Sequence, residues 1–136
     1  MLVKLSIRDF TPKTAKKGKQ ITQRKKELRN EFLKQNNDHL ENIKKICIGK
    51  DLSINVTFYL NDNTADTSSY KKDLDNMLKI LLDVLPEHMD DNKKEPGLGI
   101  IEGNKDEKIF DIKCHKEFVD DTSKEGIDVE ISEFLC

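Results

Sequence analysis

The sequence predicts an α+β fold in a single domain: one small mixed or antiparallel sheet with its helices packed on one side. Three patterns predict it. Leu52, Ile54, Val56, Phe58 and Leu60 alternate with polar residues, the signature of a strand with one buried face. The same period of two recurs at 3–7, 109–118 and 127–131. Between these segments, 21–47 and 73–85 carry apolar residues at helical spacing. The resulting order, β-α-β-α-β-β, suits helices laid over a sheet. A chain of 136 residues is long enough for one domain with a modest core.

The first strand, carried by Val3, Leu5 and Ile7, ends at Phe10-Thr11-Pro12, and a basic loop follows to Lys19. Helical spacing then runs from Ile21 to about Cys47 through Leu28, Phe32, Leu40 and Ile43. Asn36-Asn37-Asp38 marks a kink, or the break before a second helix capped near Asp38. Gly49-Lys50 turns the chain into the second strand, and a polar loop from Asn61 to Ser69 leads to the second helical segment. Pro86 ends that helix. The stretch 87–105, with Pro96, Gly97, Gly99 and Gly103, reads as a long polar insertion in which 87–92 adds at most a helical turn. Beyond it, Phe110, Ile112 and Cys114 share one strand face, which makes Cys114 a small core residue. The last two strands are expected to pair as an antiparallel hairpin.

The most informative stretch is Lys72–Leu85, KDLDNMLKILLDVL. Asp73 stands ahead of the periodic run, as an N-cap does. At 100° per residue, Asn76, Lys79 and Asp83 fall on the same side as Asp75, and eight apolar residues fill the rest. Such a helix must be mostly buried, with a narrow polar stripe expected to line a cleft. The ordinary reading of the stripe is a solvated face. The crowding of Asp73 and Asp75 at one end argues for more. An Asp75–Lys79 pair contributes about 0.3–0.5 kcal/mol, which does not offset the several kcal/mol of desolvating a carboxylate. A divalent cation with oxygen ligands would.

At Asp73, Asp75, Asn76, Lys79, Asp83 and Leu85 the chain resembles the D-x-D-N-x-x-K-x-x-x-D-x-L signature of RusA-like endodeoxyribonucleases, the Holliday-junction resolvases of bacteria and their phages. A second block, Lys105–Lys116, is similar to the family's acidic pair followed by a hydrophobic strand and a lysine. Alignment through Ile109, Asp111 and Lys116 sets Asp106 on the metal-binding aspartate, with Glu107 as the alternative; Asp90-Asp91 is a rival pair with no strand and lysine at the right distance. The match covers roughly 71–131; the N-terminal half agrees in element order only. The resemblance implies Mg²⁺ on Asp73, Asp75 and Asp106, a catalytic Lys79 facing the scissile phosphate, Asn76 and Lys116 toward DNA, and a homodimer that cuts branched DNA at four-way junctions. Asp83 is expected to support the helix or a neighbouring lysine. In this arrangement the start of the helix and the mouth of the next strand would converge on one ion.

The net charge is −2, yet 13–29 carries +7, from Lys13, Lys16, Lys17, Lys19, Arg24, Lys25, Lys26 and Arg29 against Glu27. Screening over about 8 Å makes the local patch matter more than the total, so the segment is either a phosphate footprint or a lysine-rich soluble face. Three cysteines without a CxxC exclude a zinc-ribbon site or a disulfide framework. His39 and His88 have no evident partners to complete a site. No apolar run approaches the 18 residues of a membrane span, and no signal peptide is evident, so the expected home is the cytoplasm; the resemblance implies a bacterial or phage-encoded protein. Two rival functions remain: a non-catalytic DNA-binding or assembly protein, and a Mg²⁺ phosphoesterase on small substrates, which the +7 segment argues against.

Overall fold

The computed structural model describes residues 2–13, 18–61, 74–89, 95–102 and 107–135. The elements are β1 (Leu2–Arg8), α1 (Gly18–Gln35), α2 (Leu40–Cys47), β2 (Leu52–Asn61), α3 (Leu74–Val84), β3 (Ile109–Val119) and β4 (Gly126–Glu133). The strands form one mixed sheet ordered β1-β4-β2-β3. β4 runs antiparallel to β1 and β2, and β3 runs parallel to β2. The fold is therefore α+β, with the predicted element order.

One side of the sheet carries Leu5, Ile7, Ile54, Val56, Phe58, Ile127, Val129 and Ile131, all buried. Phe32 of α1, Ile43 of α2 and Met77, Leu81 and Val84 of α3 belong to the same core. The opposite side is polar because the intervening residues of each strand are polar. Ser6, Asp128 and Thr57 stand in register across β1, β4 and β2. Asp128 is buried there; it accepts hydrogen bonds from Ser6 Oγ and, at 3.0 Å, from Tyr59 Oη.

The expected β3–β4 hairpin does not form. β4 lies between β1 and β2, so β2 separates the last two strands. Burial gives the reason. A central strand must pair on both edges and tolerate dry surroundings, and residues 126–129 of β4 are all buried. β3 alternates Asp, Lys, His and Glu on one face and is exposed along most of its length, which suits an edge. Gly126 allows the close fit: a Cβ there would collide with the Ile7 carbonyl of β1.

The 21–47 segment is two helices, one of the two readings that Asn36-Asn37-Asp38 left open. Asn36, between them, is buried; its Nδ2 donates to the carbonyls of Ser6 at 3.1 Å and Phe32 at 3.0 Å, so the break ties α1 to β1. His39, not Asp38, occupies the N-cap of α2, without a side-chain cap. The 87–105 stretch is not simply a polar excursion. Leu98, Ile100 and Ile101 are fully buried, and the amides of Leu98 and Ile100 donate to the carbonyls of Val84 and Leu85 at 2.8 and 2.9 Å. The core extends under it through the apolar residues of Leu98–Ile101.

Candidate active site

The start of α3 presents the polar stripe. Met77, Ile80, Leu81 and Val84 are buried, while Asp75, Asn76 and Lys79 are exposed together. Lys79 Nζ lies 3.3 Å from Asp75 Oδ2, and both side chains are about two-thirds exposed, at 69% and 66%. The stripe therefore lies on open surface among the described residues; the expected cleft is not formed by them. The helix is amphipathic because its apolar residues outnumber what one neighbour can cover, so α1 and the sheet take its buried faces and leave this stripe. Asp83, two turns further on, pairs with Lys25 Nζ of α1 at 2.8 Å, which is the supporting role expected of it. Asp73 lies outside the described residues.

Topology sets where a third carboxylate can stand. Met77 shares a small crevice with Phe58, Phe10 and Lys13, so α3 begins at the end of the sheet where β2 finishes. At the other end, the chain leaving α3 bridges Pro86 to Ile101, and Ile101 shares a second crevice with Leu52 and Lys108, where β2 and β3 begin. This is the parallel β-α-β crossover, in which helix and strand run in opposite directions. Glu107, at the entrance of β3, thus lies at the far end of α3 from Asp75. The ten residues from Asp75 to Val84 alone span about 13 Å. The expected convergence of helix start and strand entrance on one ion is not made by Asp75 and Glu107 of one chain. Asp106 lies outside the described residues. Among the described residues, no three His, Cys, Asp or Glu side chains are grouped as a metal site.

The basic segment is only partly available. Lys25 is held by Asp83 at 2.8 Å, Lys26 by Glu95 at 3.1 Å, and Arg24 by Glu27 at 3.3 Å. Arg29 lies 3.8 Å from Glu95 and donates to the Pro96 carbonyl at 2.9 Å. Lys13 and Lys19 are exposed, and Lys13 sits at the end of the sheet where α3 starts. Lys16 and Lys17 lie outside the described residues. Sequence reasoning missed the pairings with Asp83 and Glu95 because these acids stand some sixty residues further along the chain, with no local spacing to announce them. Lys116 is exposed on β3, in register with Phe58.

β3 also departs from expectation. Its apolar residues are not covered by the helices: Phe110, Ile112 and Phe118 are 55%, 40% and 61% exposed, and Cys114 is half-buried rather than in the core. Phe110 stacks on Phe134, with ring centroids 5.3 Å apart. Burial pushes the Cys114 thiol above its usual pKa, which disfavours the reactive thiolate.

No protein-family model and no curated protein matches the chain. The likeness to RusA-like nucleases thus rests on the residues of the two motifs. No helix among the described residues is long and apolar enough to cross a membrane.

Proposed function

We propose that the chain is a Mg²⁺-dependent, structure-selective DNA endonuclease that resolves four-way junctions as a homodimer. The observation that carries this reading is the exposed Asp75-Asn76-Lys79 stripe at the start of an otherwise buried helix. These are the residues through which the sequence resembles the resolvases. The exposed Lys13 at the same end of the sheet supports a phosphate contact there.

Lys79 would place its ammonium against the scissile phosphate and stabilise charge that grows in the transition state. Asn76 would donate to a phosphate oxygen. Asp75 would bind the ion; a bound Mg²⁺ polarises the phosphate and lowers the pKa of an attacking water. Asp75 alone is too few ligands, and the described part of one chain does not complete the set. A second copy would. β3 is an edge strand with three exposed apolar side chains. Antiparallel pairing of two β3 edges about a two-fold axis would join their open backbone groups and bring these side chains beside their counterparts, with the entrance of one β3 next to the exit of the other. Glu107 at that entrance would then stand at the end of the sheet where the other copy's α3 begins, which makes Asp106-Glu107 the candidate source of the missing ligand. Two such composite sites suit the two symmetry-related strands of a junction.

The test is cleavage of a synthetic four-way junction in Mg²⁺. Asp75→Asn and Asp106→Asn should each bind and fail to cut. Mixing the two inactive variants should restore cutting, because a mixed dimer then holds one intact composite site. Undiminished cutting by Asp75→Asn removes it from the mechanism. No recovery on mixing refutes the shared site, and wild type that binds junctions without cutting refutes the enzyme.

A further inference from the structure

Glu95 lies against two cations of the basic segment. Its carboxylate lies 3.1 Å from Lys26 Nζ and 3.8 Å from Arg29 Nη1. We propose that Glu95 is an intramolecular competitor for DNA: it occupies Lys26 in the free protein and yields it to a backbone phosphate on binding. The inference rests on the DNA-binding reading above and adds how that surface is regulated.

The two cations have different roles. Arg29 is 15% exposed at its side chain and also donates to the Pro96 carbonyl at 2.9 Å, so it anchors the 95–102 segment to α1. Lys26 is 38% exposed, and its contact with Glu95, itself 32% exposed, is accessible to solvent. An exposed ion pair of this kind contributes about 0.2–1 kcal/mol. A phosphate on duplex DNA offers the same charge together with release of a condensed counterion. Exchange of one anion for the other therefore costs little. Lys25 is different: at 18% exposure and 2.8 Å from Asp83, it ties α1 to α3 and stays in place. The segment that delivers Glu95 is itself fixed, since Leu98 and Ile100 are buried beside it. The competitor is thus presented on a rigid support, and only its side chain has to move.

The experiment compares wild type, Glu95→Gln, Lys26→Gln and the double variant. Binding to a four-way junction is measured from 50 to 300 mM NaCl, and elution from heparin is recorded in parallel. Glu95→Gln should bind the junction about fivefold more tightly at 0.1 M salt, with a similar salt slope, since Lys26 meets a phosphate in both complexes. It should elute later from heparin. Lys26→Gln in the Glu95→Gln background should cancel the gain. Unchanged or weaker junction binding by Glu95→Gln, with unchanged heparin elution, overturns the competition. Failure of wild type to bind any junction, with heparin elution still shifted by Glu95→Gln, overturns the DNA reading and leaves the masking of Lys26 standing.

Discussion

Arg8 and Asp128 meet on the open side of the sheet, Nη1 to Oδ1 at 2.9 Å, on adjacent antiparallel strands. The same guanidinium lies 4.4 Å over the Tyr59 ring, whose hydroxyl donates to Asp128 at 3.0 Å. The three side chains link β1, β4 and β2 from the face that the helices do not reach. Replacing Asp128 with Ala leaves Arg8 and Tyr59 without their shared acceptor. The expected loss is about 1.5–3 kcal/mol in urea unfolding, and Tyr59→Phe should lose about 1 kcal/mol.

The same carboxylate makes stability depend on pH. Burial disfavours its charge, but hydrogen bonds from Arg8, Ser6 and Tyr59 win, and the pKa falls to about 2. A group with a lowered folded pKa contributes its stability above its unfolded pKa of about 3.9 and loses it as pH falls toward the folded value. Unfolding free energy should therefore drop by about 2–3 kcal/mol between pH 5 and pH 2 from this group. Asp128→Asn should flatten that part of the curve in an acid titration.

Asp75 and Lys79 should be dispensable for folding. An exposed pair one turn apart contributes about 0.3–0.5 kcal/mol, so Asp75→Asn and Lys79→Gln should melt within about 2 °C of wild type. Calorimetry checks this, and it separates loss of cutting from loss of structure.

Gly126→Ala should be far more damaging than its size suggests. The added methyl meets the backbone of Ile7, which cannot rotate away. Separation of β1 from β4 should lower stability by about 1–3 kcal/mol, with faster exchange of the amides of residues 2–8 in hydrogen-exchange measurements.

Phe110→Lys with Ile112→Lys places two charges on the exposed apolar edge. Wild type should sediment as a dimer and the variant as a monomer, with the circular dichroism unchanged. A wild-type monomer at micromolar concentration would remove the edge-to-edge pairing.

The elements were legible in the sequence because each rests on local periodicity: Leu52–Leu60 for β2, Leu74–Val84 for α3. Pairing was not legible. Nothing local says that β4 enters between β1 and β2, since that choice depends on how much of each strand can be dry. The apolar side of β3 misled for the same reason: Phe110, Ile112 and Cys114 have the period of a buried face, but on this edge strand only Ile109 and Cys114 pack against the core, while Phe110 and Ile112 stay exposed. At the site, the motif marks Asp75, Asn76 and Lys79 as a group, and the structure exposes them as one. Whether a third carboxylate joins them depends on the direction of β3, which sequence spacing does not encode.

Among the described residues, β1 has a single neighbour in the sheet, and that neighbour is β4. During synthesis, residues 2–8 leave the ribosome more than a hundred residues before residues 126–133, the strand they pair with. Until β4 emerges, β1 is an unpaired, half-apolar strand, the kind of surface that chaperones hold. β1 is thus made before the other three strands and is the last that the sheet can take in.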